Sequence, residues 1–136
     1  MDEATAARVR AILGDRPTVH LGTVKVNGAP HVTPVWVAFD GHTFYVSVSG
    51  KQKLRNLERN QRVALSAHAD GPTLPHLIVE GEATLRYDDE AVEIRRRLIE
   101  SYTGPEGLAK YLVPPLLAPG HRALVEIAPT KVIVKG

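Results

Sequence analysis

Ser47-Val48-Ser49-Gly50-Lys51-Gln52-Lys53-Leu54 joins a β-type run to a helical one and sets two lysines where the helix begins. A helix N-terminus exposes unpaired N–H groups and carries about half a unit of positive charge, so it attracts anions and ordinarily disfavours lysine. Lys51 and Lys53, with no acidic residue in the segment, point to a bound phosphate-like group that supplies the missing negative charge. The competing reading is a solvated basic helix face. Ser49 and Gln52 have the spacing of a capping box, which predicts that Ser49 caps the helix and Gln52 bonds back to the Ser49 backbone.

A second cluster is His31-Val32-Thr33-Pro34-Val35-Trp36. Pro34 falls inside a β-type run, and proline cannot donate to a strand ladder. It therefore belongs at a sheet edge, at a bulge, or where a flat ligand faces the backbone. Both an ordinary edge with Trp36 packed inside and a ligand lying along the strand satisfy that constraint. The six histidines show no pair at metal-binding spacing with a carboxylate. His31, which opens the Pro34 strand, and His76, which follows a proline-rich connection, are the two of interest. Ser47, Ser49 and Ser66 lack the context of a nucleophile elbow. Arg95-Arg96-Arg97 reads as a solvated helix face, since no aromatic residues interleave with it as a nucleic-acid platform requires.

The elements that must position these residues follow from periodicity. Ala4, Ala7, Val9, Ile12 and Leu13 have helical spacing that Gly14 ends. Strands are expected over Thr18–Val26, Pro30–Asp40 and Thr43–Ser49, turned by Asn27-Gly28 and Asp40-Gly41, both favoured hairpin dipeptides. Lys51–Asn60 reads as a helix burying Leu54 and Leu57. Arg62–Ala69 and His76–Tyr87 are further strands. Asp88–Tyr102 is a helix whose buried face carries Ala91, Ile94 or Arg95, Leu98, Ile99 and Tyr102. Thr103–Gly120 interrupts it, with one or two helical turns over Leu108–Val113, and a last strand over Arg122–Val134 is broken by Pro129. Six antiparallel strands with peripheral helices make a mainly β, barrel-like architecture.

At 136 residues, 43% hydrophobic and 24% charged, the chain is expected to form a single domain. A net charge of +2 is too weak to predict nucleic-acid binding without a clustered basic surface. Cysteine is absent, so disulfides and thiolate chemistry are excluded. With no apolar stretch of signal-peptide or membrane-spanning character, the expectation is a cytoplasmic protein that does not enter a membrane.

In their order, Asn27-Gly28, Pro30-His31, Pro34-Val35-Trp36, Lys53-Leu54-Arg55-Asn56-Leu57 and the strand around Val79-Glu80-Gly81-Glu82-Ala83 resemble the pyridoxamine 5′-phosphate oxidase-like flavin/deazaflavin oxidoreductases. The resemblance extends from about Pro17 to Leu85, and within the family it is nearest to the small branch that includes users of the deazaflavin coenzyme F420. It implies a split β-barrel working as a homodimer with two cofactor sites at the subunit interface. Carried over by motif, Lys51, Gln52 and Lys53 would hold the cofactor phosphate with help from Ser47 and Ser49. His31, Thr33, Pro34 and Val35 would line its ring, and the strand bearing His76 would come from the other subunit. The implied activity is hydride transfer from F420 to an unsaturated small molecule, with no side chain assigned as catalyst. FMN in the same fold, or a non-catalytic ligand-binding module, are the alternatives. Lys51, Lys53, Arg55 and Arg59 would suit the polyglutamate tail of F420, and Gln52 stands where pyridoxamine phosphate oxidases carry arginine.

Overall fold

A computed structural model describes all residues, 1–136. Helix α1, Glu3–Leu13, starts where the Asp2 carboxylate accepts the Thr5 N–H at 2.7 Å, and ends at Gly14, whose φ of 62° favours glycine. It lays Ala6, Val9 and Ile12 against the core. Strands β1 (Val19–Val24) and β2 (Pro30–Val35) form the predicted hairpin, with Gly28 at φ 86° and the Asn27 side chain accepting the Ala29 N–H at 3.0 Å. Strands β3 (Val37–Phe39) and β4 (Phe44–Ser49) form the next, and there the Asp40 carboxylate accepts the N–H groups of His42 and Thr43 at 2.8 and 2.7 Å. The chain continues as α2 (Lys51–Arg59), β5 (Arg62–His68), β6 (His76–Arg86), α3 (Asp89–Tyr111) and β7 (Arg122–Lys135).

The expected six strands are seven, because the run Pro30–Asp40 divides at Trp36. β2 pairs with β1, whereas β3 pairs with β4. In the antiparallel order β2-β1-β5-β6-β7-β4-β3 these consecutive strands occupy opposite edges. A single residue links the two edges, so the sheet must curl until they meet, which makes a barrel split at Trp36. Its interior is filled by inward residues at alternate positions, among them Leu21, Phe44, Val46, Leu65, Val79 and Ile127, all 2% exposed or less. Leu54 and Leu57 of α2 join this core as predicted, and burying each contributes roughly 1.5–3 kcal/mol.

Two other expectations change. Pro129 does not break the last strand: β7 is continuous, and the irregularity is absorbed by a register shift between Glu80 and Gly81, which sets Gly81 opposite Pro129. The strands approach so closely there that a Cβ on Gly81 would lie 2.6 Å from the Ala128 carbonyl oxygen. Helix α3 is interrupted at Gly104 (φ 72°, ψ 174°), ahead of Pro105, but regains helical form through Tyr111, so less of Thr103–Gly120 is irregular than its composition predicts.

Candidate functional site

β4 brings Ser47 and Ser49 to one face, two residues apart, while Val46 and Val48 point into the barrel. The chain then turns at Gly50, whose φ of 116° and ψ of 135° are accessible in practice only to glycine, and enters α2. The predicted capping box does not form. Gly50 is the N-cap, no side chain caps the helix, and the Gln52 amide donates instead to the Asn56 side chain at 3.0 Å, one turn along. The first turn holds Lys51 and Lys53 and no acid, so its amides and its lysines face outward uncompensated.

Above this junction lies a cavity of about 580 Å³. Of the residues singled out in the sequence, Pro34, Val35, Ser47, Ser49 and Lys53 line it. The remaining five lie elsewhere. His31 and Thr33 sit half-buried farther back on β2. Lys51 faces an adjacent groove of about 260 Å³ with Arg55, Glu58 and His121. Gln52 is exposed, and His76 has its Nδ1 2.8 Å from the Leu74 carbonyl in its own loop. Pro34 does lie on an edge strand, opposite His20 of β1. Trp36 is not core packing: it is half-exposed and forms part of the cavity wall.

That wall is aromatic. Trp36 stacks on Tyr102 of α3, with ring centroids 5.2 Å apart and planes 14° apart, and meets Tyr111 edge-on at 5.5 Å. The Tyr102 hydroxyl donates to the Pro17 carbonyl at 2.7 Å and accepts the Val37 N–H at 3.1 Å, so one side chain ties α3 to both the entry of β1 and the split. Burial raises the Tyr102 pKa, opposed by its bond to Val37, and keeps the phenol neutral.

The cavity's charge is all of one sign. Arg16, Lys53 and Arg95 line it, and no Asp or Glu does. Arg95 corrects the sequence reading: the Arg95-Arg96-Arg97 run is a solvated face only in part. Arg96 and Arg97 reach Glu93 at 3.5 and 3.4 Å, whereas Arg95 is 7% exposed and has no acidic partner. Its Nε and Nη1 are buried without a hydrogen bond. Burial, and then repulsion from Arg122, lower its pKa. The signal was present in the sequence, since Arg95 interrupts an apolar stripe of Ala91, Leu98, Ile99 and Tyr102. A cation in such a stripe has either a buried partner or a ligand to meet. Arg16, Trp36 and Tyr111 carried no comparable signal.

The family model for pyridoxamine 5′-phosphate oxidase matches residues 5–136. Among solved structures, an F420 reductase is 28% identical with a TM-score of 0.71, the match covering 91% of this chain and 94% of that one. A conserved hypothetical protein of Mycobacterium tuberculosis is 27% identical with a TM-score of 0.71, over 97% of this chain and 82% of that one. The heme storage protein HutZ of Vibrio cholerae, 18% identical with a TM-score of 0.72 over 96% and 94%, shares the fold. No curated protein sequence gives a significant match. The sheet split at Trp36 and a family match over nearly the whole length converge, and the chain belongs to the pyridoxamine 5′-phosphate oxidase-like family of split-barrel flavin and deazaflavin proteins.

Proposed function

We propose that this protein binds coenzyme F420, with FMN as the alternative, and serves as an oxidoreductase acting on an unsaturated small molecule. The observation that carries the reading is the acid-free cavity with Lys53 at the open start of α2, lined also by aromatic side chains and by the proline-bearing strand edge. Its volume of about 580 Å³ falls within the roughly 300–1,000 Å³ usual for small-molecule sites.

In this reading Lys53, Ser47, Ser49 and the first amides of α2 hold the phosphate. Pro34 and Val35 line the ring, with His31 and Thr33 along the same strand. Lys51 and Gln52 stand at the rim, and His76 belongs to the site of the second subunit of a homodimer. The bound cofactor supplies hydride transfer, and the protein supplies position, electrostatics and exclusion of water. Trp36 and Tyr102 shield the apolar side of the cavity, and the tie from Tyr102 to Pro17 and Val37 holds that wall in place. Preference for F420 draws on the 28% identical F420 reductase and on the adjoining groove, where Lys51 and Arg55 outnumber the single acid Glu58 and suit an acidic tail.

Titration of the purified protein with F420 and with FMN, followed by cofactor fluorescence, tests this directly. F420 is expected to bind more tightly, and tight FMN binding without a response to F420 reverses the choice. Lys53→Ala is expected to weaken cofactor binding by roughly 1.5–3 kcal/mol, about 10–150-fold, through loss of a charged hydrogen bond. Unchanged affinity removes Lys53 from the site. A loaded protein that reduces no member of a panel of enones and quinones is a ligand-binding module and not an enzyme.

A further inference from the structure

We propose that Arg95 recognises an anionic group of the substrate, so that this site takes a flat, conjugated carboxylate or a similarly acidic aromatic compound. The inference rests on the reading of this cavity as the cofactor and substrate pocket, and it begins with an arginine that folding alone does not explain. Arg95 is 7% exposed, and its Nε and Nη1 have no hydrogen-bond partner. Leaving buried charged donors unpaired is costly, and an apolar side chain of similar volume at such a position is often neutral or stabilising. The neighbouring cation offers no relief. Arg122 spends its Nη1 on the carbonyls of Val113 and Pro115, at 3.0 and 2.6 Å, and repels Arg95. Neither Arg16 nor Lys53, the other cations of the cavity, can compensate it, and no carboxylate lines the space.

The chemistry of the missing partner follows from which element carries which group. The phosphate-type site belongs to the β4–α2 junction, where Ser47, Ser49 and Lys53 lie. Arg95 comes from α3, on the stripe that also presents Ile99 and Tyr102 to the cavity at i+4 and i+7. Cation, aliphatic and aromatic groups in sequence along one helix face match a ligand with an acidic end and a flat apolar body. Tyr102 in turn stacks on Trp36, which extends the apolar surface available to such a body.

The probe pair trans-cinnamate and methyl trans-cinnamate tests the assignment, with binding measured calorimetrically on the F420-loaded protein. Wild type is expected to bind the acid about 10–100-fold more tightly than the ester, the range expected of a charged hydrogen bond. In Arg95→Met the acid is expected to fall to the affinity of the ester, and Arg95→Lys to restore part of the difference. Equal binding of acid and ester to wild type, a comparison that needs no variant to fold, overturns the proposal. So does discrimination that survives in Arg95→Met. F420 affinity is read in parallel. Arg95→Met that loses F420 while sparing the acid–ester ratio transfers Arg95 to the cofactor and ends the substrate assignment. If wild type binds neither F420 nor FMN, the cofactor reading fails, and the acid–ester comparison on the unloaded protein still judges Arg95.

Discussion

Arg86 and Arg95 stand on either side of the start of α3, and their surroundings are opposites. Arg86, at the end of β6, is saturated with acids: its Nε and Nη2 grip Asp88 at 3.1 and 2.8 Å, and Nη2 and Nη1 reach Glu90 and Glu126 at 3.1 and 3.3 Å. Its hydrogen bonds to Asp88 and Glu90 raise its pKa. Arg95 is the more deeply buried, has none of these partners, and has its pKa lowered by burial. A fold that can neutralise one arginine with three carboxylates has left the other bare beside a cavity. The first arginine fastens β6, β7 and α3 together. The second has no partner within the protein, and the cost of its burial is carried by the free protein.

The comparison breaks most readily at Arg86. Arg86→Met leaves Asp88, Glu90 and Glu126 gathered without a counter-charge. Because those carboxylates are 52%, 74% and 34% exposed, the cost is expected below that of a fully buried pair, about 2 kcal/mol in urea unfolding. Cofactor affinity is expected to stay the same, since none of these groups lines the cavity. Arg95→Met sharpens the contrast with a change of opposite sign: removal of an unpaired buried cation is expected to leave stability equal or raise it by about 1 kcal/mol. A loss comparable to that at Arg86 shows instead that Arg95 has a structural partner, and the distinction between the two regions fails.

The two regions also differ in how much their residues disclose. Hairpins at Asn27-Gly28 and Asp40-Gly41, the Leu54 and Leu57 stripe and the missing acid in the first turn of α2 are local features, and local chemistry decides them. Lys53 and Pro34 stood out by their local chemistry, whereas Ser47, Ser49 and Val35 were assigned through the family resemblance; the edge strand β2 and the β4–α2 junction bring all five to one cavity. The division of Pro30–Asp40 was not, since it depends on two edges of a sheet meeting at Trp36, a consequence of closure and not of any dipeptide. The capping box failed because a glycine at φ 116° took over the turn, and Gln52 found Asn56 within reach. Periodicity left the buried position open between Ile94 and Arg95, and the solvated reading of the arginine run holds for Arg96 and Arg97 alone, because three arginines in a row disguise the one on the inner side of the helix.

The smallest effect concerns acid. Asp88 accepts the Ala91 N–H at the start of α3 and is paired with Arg86, whose hydrogen bond is the main reason its pKa falls from 3.8 to about 2. With the folded value below the unfolded one, its contribution is complete above about pH 4 and disappears as pH falls through about 2. Asp88→Asn keeps a side chain that caps helices well but cannot titrate. The Tm of wild type is therefore expected to fall more steeply between about pH 4 and pH 2 than that of Asp88→Asn, with the two curves converging at the acid end. Parallel curves remove Asp88 from the acid response and reduce the Arg86 cluster to a surface arrangement. No such limb is expected from Arg95, which has no carboxylate partner whose protonation could release it.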